Sequence, residues 1–141
     1  MFRSARTLIE KPDAIILRRR PNLPGQIAHP GKLDLLSSYV SKGGKFSTAA
    51  LRSLQERIPR RTAYTFEPFG EYLHDDENEL GVSLRRHIGL FRACVDEACV
   101  LQNSPELEEV PLDRSSVEPL AADLTPFTFY ALRRIVHLSK G

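Results

Sequence analysis

The chain has 141 residues, 41% of them hydrophobic, enough to enclose one sizeable core but short for two, so a single domain over residues 1–141 is expected. The 20 Lys and Arg against 18 Asp and Glu leave a net +2, which argues against a nucleic-acid partner on bulk charge and makes any charge effect local. No apolar run approaches the roughly 20 residues that span a bilayer, and Met1-Phe2-Arg3-Ser4-Ala5-Arg6 lacks the apolar stretch of a signal peptide, so a cytoplasmic location and no membrane association are expected, with Cys94 and Cys99 reduced.

Ala14-Ile15-Ile16-Leu17 is a short apolar run leading through Arg18-Arg19-Arg20 to Pro21, the pattern of a buried strand entering a loop that lasts to Gly31. Leu33 to Val40 predicts the next strand. Gly43-Gly44 predicts a turn, Ser47 an N-cap, and Ala50, Leu51, Leu54 and Ile58 the apolar face of a helix that Pro59 should stop. From Ala63 onward the sequence turns strand-like, at Tyr64–Phe66, Tyr72–Leu73, Ile88–Val95 and Ala98–Leu101. Ser115 and Glu118 have the spacing of a capping box, and Thr125-Pro126 that of an N-cap followed by Pro at the first helical position. Phe127, Tyr130, Ala131, Ile135 and Leu138 then line one stripe of a closing helix. Strands interleaved with a central helix and closed by another predict an α/β fold, with helices on both faces of a mixed sheet.

Ala28 to Val40, continuing into Ala49-Ala50-Leu51-Arg52 with Leu54 and Glu56, resembles the signature box of the Nudix (MutT-like) hydrolase superfamily with its lead-in strand. That box reads G-x5-E-x7-R-E-U-x-E-E-x-G-U, where U is aliphatic. Laid on this chain, its first glycine falls on Ser38, its first glutamate on Gly44 and its Arg-Glu pair on Arg52 and Ser53. Leu54 takes the aliphatic position, Glu56 and Arg57 the glutamate pair, and Pro59 the last glycine. The strand ending at Leu17-Arg18 resembles the family's first core strand, and Leu107 to Asp113 the segment before its closing helix, so the likeness covers nearly the whole chain. It implies an α/β/α sandwich, with the box helix and a C-terminal helix packed on a mixed sheet. It also implies a hydrolase of nucleoside-diphosphate-linked (pyrophosphate) substrates, here with a degenerate box.

In that family the box helix presents carboxylates to Mg²⁺ or Mn²⁺ bridging the substrate phosphates, and the metal helps generate a nucleophilic water. Positions 53, 56 and 57 share one helical face by their i, i+3, i+4 spacing. On this chain they are Ser53, Glu56 and Arg57, so two acids are gone and one has become a cation. At an effective dielectric of about 20, a unit-charge interaction at about 4 Å is worth about 4 kcal/mol, and more against a divalent ion. Box-type metal binding is therefore expected to be weakened or lost. Glu56 is left as the candidate metal ligand and catalytic carboxylate, with Arg52 in the place of the family's glutamate-orienting arginine; the same two residues also have the spacing of an ordinary surface ion pair. Arg57 favours a phosphate bound without metal.

Arg18 and Arg20 share one face of their strand while Arg19 points away, and His29 and Lys32 approach the next strand. The group is either a basic cleft for a phosphorylated, nucleotide-derived small molecule or a solvated strand end. Gly43-Gly44-Lys45 is not a phosphate loop, because Phe46 replaces its Ser/Thr and Tyr39 its first glycine. His74-Asp75-Asp76-Glu77 with Glu79 is either a solvated loop or a source of replacement metal ligands, and Glu67, Glu71 or Glu97 a displaced base. Phe66, Tyr72 and Phe91 are candidates for stacking on a base. Three functions compete: a divergent hydrolase using Mg²⁺ or Mn²⁺, a non-catalytic nucleotide- or phosphate-binding or regulatory module, and a purely structural domain. A homodimer is compatible with each.

Overall fold

A computed structural model describes residues 2–24, 29–77, 82–111 and 117–140, with the side chains of all but 76, 77 and 136–140. β1 (Phe2–Lys11) and β2 (Ala14–Arg19) form an antiparallel hairpin that stays paired only from Lys11↔Ala14 to Ile9↔Ile16. Beyond that the two strands splay, and the strand expected over Leu33–Val40 fills the wedge between them. Its first part, β3 (Leu33–Asp34), pairs with β2, and its second, β4 (Leu36–Tyr39), pairs with β1, so the chain changes partner at Leu35. A long hairpin of β5 (Tyr64–Glu77) and β6 (Ser83–Val95) joins by parallel pairing of β6 with β1, and β7 (Leu107–Pro111) lies antiparallel to β2. The result is a mixed 7-stranded sheet.

Alternation along the strands gives this sheet two apolar faces. On one, Ala5, Ile9, Ile16, Phe91, Ala93 and Val95 meet Phe46, Ala50 and Leu54 of α1 (Phe46–Gln55). On the other, Leu8, Ile15, Leu17, Ile88 and Leu90 meet Phe127, Ala131, Leu132 and Ile135 of α2 (Pro126–Lys140). The expected α/β/α sandwich is therefore the observed architecture. Among the described residues no helix is long and apolar enough to cross a membrane.

Several local expectations change. The first core strand is β1, which begins at Phe2; the Ala14–Leu17 run is the second, because the mixed Arg/Ser/Thr composition of residues 3–7 hid a strand with both faces covered. α1 starts at Phe46 with Lys45 at the N-cap and no side-chain cap, so Ser47 lies inside the helix. The preceding turn is held instead by Arg3, whose Nη1 donates to the Gly44 carbonyl at 2.9 Å while its guanidinium lies over the Phe46 ring. The helix closes at Gln55 in a last turn whose Ile58 N–H donates to Leu54 O at 2.8 Å, directly before Pro59.

Tyr64–Phe66 and Tyr72–Leu73 belong to one strand, and the acidic segment from His74 is its continuation rather than a loop: Asp75 pairs across with Arg85 at 2.8 Å. Ala98–Leu101 is not a strand. After the Asp96 turn, Cys99 and Leu101 pack as loop residues against the core beneath Leu54 and Ile58. Burial pushes the Cys99 thiol up, keeping it protonated. Pro126 is the first residue of α2 as expected, Tyr130 is 48% exposed and so only flanks the stripe, and Ser115, Glu79 and the Leu138 side chain lie outside the described residues.

Gly89, in the middle of β6, sets how closely α1 approaches the sheet. A Cβ there would sit 2.6 Å from Cγ and 2.7 Å from Cβ of Phe46, atoms too near the backbone to swing aside. Gly89→Ala is expected to destabilise the domain by about 1–3 kcal/mol through overpacking, read as a lower urea midpoint with an unchanged slope. A neutral outcome would mean that α1 can lift off the sheet without loss.

Candidate functional site

Asp34 lies where β3 hands over to β4, inside the apolar run Leu33 to Leu36, and is 2% exposed. Its Oδ1 accepts from the Leu35 N–H at 2.8 Å, Thr128 Oγ1 at 2.9 Å, Thr125 Oγ1 at 3.1 Å and Arg6 Nη1 at 3.2 Å, and its Oδ2 from Arg20 Nη1 at 3.3 Å. Burial alone would push this carboxyl up. The charge of Arg6, the Thr128 hydrogen bond, the charge of Arg20 and the Leu35 N–H outweigh it and hold the carboxyl below the usual range.

Beside Asp34 a small cavity of about 20 Å³ is lined by Arg6, Arg20, His29, His74, Arg86 and the first turn of α2. His29 reaches it from a backbone in the left-handed region, φ +50°. Arg20 also lines a wider groove of about 530 Å³, whose walls are Arg19, Pro21, Asn22 and Gly31 and, from β7 and its lead-in, Pro105, Glu106 and Glu108. Arg20 thus lines both spaces.

Of the basic residues expected to converge, Arg20 and His29 do. Arg19, expected to point away, forms a wall of the groove, but its guanidinium is engaged by Glu108 at 2.8 and 3.1 Å, Asp123 at 2.9 Å and the Gly31 carbonyl at 2.9 Å. The Glu108 bonds hold Arg19 protonated and Glu108 well below the usual carboxylate range. Lys32 donates to the Ala122 carbonyl, tying the loop to the short 3-10 turn Glu118–Asp123, and Arg18 lines neither space.

At the end of α1, Arg57 turns back on its own helix: Nη1 donates to the Ser53 carbonyl at 3.0 Å and to Ser53 Oγ at 3.1 Å. This satisfies an otherwise orphaned carbonyl in the last turn and places a cation where the helix dipole favours one. Glu56 and Glu106 each stand 3.7 Å from the same guanidinium, with Glu56 on the solvent side, 65% exposed. Glu106 is also a groove residue, so Arg57 sits one residue back from the groove. Arg52 is exposed and, among the described residues, does not form the ion pair with Glu56 that the spacing suggested; Glu56 faces Arg57 instead.

The donor set does not fit a box-type metal site. Ser53 is buried with its Oγ held by a cation, Arg57 occupies the face, and Glu56 stands alone toward solvent. Among the described residues no three His, Cys, Asp or Glu side chains are grouped so as to hold a metal ion. Glu71 pairs with His87 at 3.0 Å and Glu67 faces Arg92 at 3.8 Å, both on the β5–β6 hairpin. Glu97 contributes its carbonyl to Lys11. Phe66 and Phe91 stack on each other, and Tyr72 packs edge-on against Phe127 and Tyr130.

Solved structures share this architecture over the full length of the chain. A C. elegans Ap4A hydrolase aligns over 100% of this chain and 99% of its own with a TM-score of 0.66 at 12% identity. The chain has the Nudix fold. The NUDIX domain of Shewanella oneidensis NrtR, solved with ADP-ribose, aligns over 94% of this chain and 84% of its own (TM-score 0.65, 14% identity). A NUDIX-family hydrolase from Clostridium perfringens covers 96% of each chain (TM-score 0.63, 10% identity). No family model and no curated protein sequence matches. Within the Nudix fold, α1 stands where the resemblance put the box helix.

Arg6, Asp34 and Arg86 were missed in the sequence, and His74 was singled out only with the acidic segment after it, although two of the missed residues leave a signal. Arg6 lies two residues before Leu8, and Arg86 two before Ile88, so each is an arginine in register with a buried apolar face.

Because Asp34 is depressed, its ionised form contributes stability that is fully present above the unfolded value of about 3.9. That contribution is lost as pH falls through the lower folded value. Asp34→Asn is expected to cost about 3–5 kcal/mol at neutral pH, since it leaves Arg6 buried without its partner, and to flatten the acid limb of the stability profile. Urea unfolding of both proteins across that range checks this; parallel acid limbs would remove Asp34 from the linkage.

Proposed function

We propose that the chain, as one domain over residues 1–141, binds a phosphorylated, nucleotide-derived small molecule at the groove and the cavity that Arg20 lines, with box-type metal-dependent hydrolysis weakened or lost. The observation that carries this reading is the Arg57 guanidinium clamped on Ser53, on the helix face where the fold's hydrolases present carboxylates. A divalent ion there would meet a fixed cation, whereas a phosphate would meet a guanidinium suited to its oxygens. Arg20 supplies a further guanidinium at the groove and, with His29, further donors in the cavity. Arg18 and Lys32, which line neither space, add only positive charge nearby in this proposal, and Arg52 acts as a surface residue of α1.

The ligand class is drawn from the fold: the NrtR domain was solved with ADP-ribose, and that compound is the first to try. A cytoplasmic setting, where both thiols stay reduced, belongs to the same reading.

One observation favours the second reading, a divergent hydrolase using Mg²⁺ or Mn²⁺. Glu56 and Glu106 converge on Arg57 from two elements, so the guanidinium keeps apart two carboxylates that would otherwise face a common space. In that reading Glu56 is the metal ligand and catalytic carboxylate.

Calorimetric titration of ADP-ribose separates the two. Binding that is the same with Mg²⁺ or with a chelator, survives Glu56→Gln, and weakens about tenfold or more in Arg57→Gln is expected, the last from the loss of a charge-assisted contact worth about 1.5–3 kcal/mol. Stoichiometric Mn²⁺ uptake and ADP-ribose cleavage, both lost in Glu56→Gln, would replace this reading with the hydrolase. Substituting Ser53→Glu together with Arg57→Glu is expected to create Mn²⁺ binding; no gain would show that the helix face is closed to a metal for reasons beyond Arg57.

A further inference from the structure

The cavity beside Asp34 combines an unusual charge balance with a one-sided hydrogen-bonding capacity. Among the described residues, three guanidiniums, those of Arg6, Arg20 and Arg86, and one carboxylate, that of Asp34, line it. Arg6 and Arg20 share that carboxylate. Arg86 does not: among the described residues it pairs with no acid, and its Nε is buried with no acceptor in reach. Leaving a charged donor in that state costs more than an ordinary unmade hydrogen bond, so the arrangement favours the arrival of an acceptor.

The carboxylate in the walls has no oxygen to spare. Both oxygens of Asp34 are occupied, Oδ1 by four donors and Oδ2 by Arg20. A nucleobase edge needs acceptors as well as donors from its site, and this lining has chiefly donors to give. Size points the same way, because about 20 Å³ admits the tip of one small polar group, not a ring. The α2 N-terminus, with Thr125 and Thr128 in its first turn, adds its positive end to the same space. An anionic, all-acceptor group matches a lining that has chiefly donors to give and the unmet Nε of Arg86.

We propose that this cavity, on the face of the sheet opposite the α1 helix, is a metal-independent site for a phosphate group, with Arg86 as its principal ligand and Arg20 and His29 as further donors in its wall. The site deepens the functional reading above, since it says which part of a phosphorylated ligand is anchored and where. It does not depend on Arg57, which lies at the end of α1.

The test is titration of inorganic phosphate, followed by backbone amide shifts and by calorimetry, into the wild-type domain and the Arg86→Gln and Arg86→Lys variants, with acetate as the singly charged comparison. Phosphate is expected to bind more tightly than acetate and to shift the amides of residues 34, 35, 125, 127 and 128. Arg86→Gln should weaken phosphate at least tenfold without lowering the melting temperature, and Arg86→Lys should retain part of the affinity. Phosphate binding unaffected by Arg86→Gln, shifts confined to the end of α1, or no phosphate binding by the wild type would each overturn the proposal. Phosphate binding through Arg86 in a domain that ignores ADP-ribose would sink the nucleotide reading and leave this site standing; ADP-ribose binding indifferent to Arg86→Gln would do the reverse.

Discussion

Asp34 is a single carboxylate on which three parts of the fold converge. The sheet needs a strand that can leave β2 for β1 within a few residues, and a strand changing partners exposes backbone groups that a regular ladder would satisfy. Here the Leu35 N–H, freed by that change, is taken by Asp34, and the same oxygen receives the hydroxyls of Thr125 and Thr128 from the start of α2. Arg6 from β1 and Arg20 from the end of β2 neutralise it. One buried group thus fixes the wedge between the splayed strands, the docking of the C-terminal helix and the direction of two arginines. A buried ion pair is a weak contributor to net stability, but its removal on one side is severe. The group therefore acts more as a register device than as a source of stability.

The two faces of the sheet have separate electrostatic characters. On the α1 face the polar group nearest the helix end is Arg57, a cation capping the last carbonyls of its own helix, with Glu56 and Glu106 on either side. A cation at that end is what the helix dipole favours, so Ser53 and Arg57 together form a stable terminus without needing an ion from solution. On the α2 face, Arg6, Arg20 and Arg86 crowd about one acid. Arg19, between them in sequence, is drawn off by Glu108 and Asp123 and becomes a strut between β7 and the short turn before α2.

The architecture was legible because it is carried by periodicity: the apolar runs at Ala14–Leu17 and Ile88–Val95, the stripe of α2 and the Pro126 start are all where the pattern put them. What the pattern could not carry were features decided across the chain. β1 was hidden because Arg3 and Arg6 stand in a strand covered on both faces, where each finds a distant partner, Gly44 and Asp34. The start of α1 is set by Arg3 on the Gly44 carbonyl rather than by a local cap, so Ser47 gave a false signal. Arg57 was identified as a change in the box, yet its grip on Ser53 depends on where the helix ends. The cavity cluster was invisible in sequence, since Arg6, Arg20, Asp34, His74 and Arg86 come from five separate segments.

A fold shared at 10–16% identity fixes the scaffold and leaves the chemistry to the residues that line it. On this scaffold two separate changes run in the same direction. The α1 face has a serine and an arginine where the box it resembles has acids, and the α2 face has an arginine that no acid balances among the described residues. Either alone could be accounted for locally, Arg57 as a helix cap and Arg86 as a strand arginine caught under a helix. Together they place guanidiniums at two separate points of the scaffold, the end of α1 and the cavity beside α2, where each attracts anions rather than divalent cations. A hydrolase that relies on a metal to neutralise its substrate's phosphates gains nothing from such an arrangement, whereas a domain that holds those phosphates with its own guanidiniums requires it.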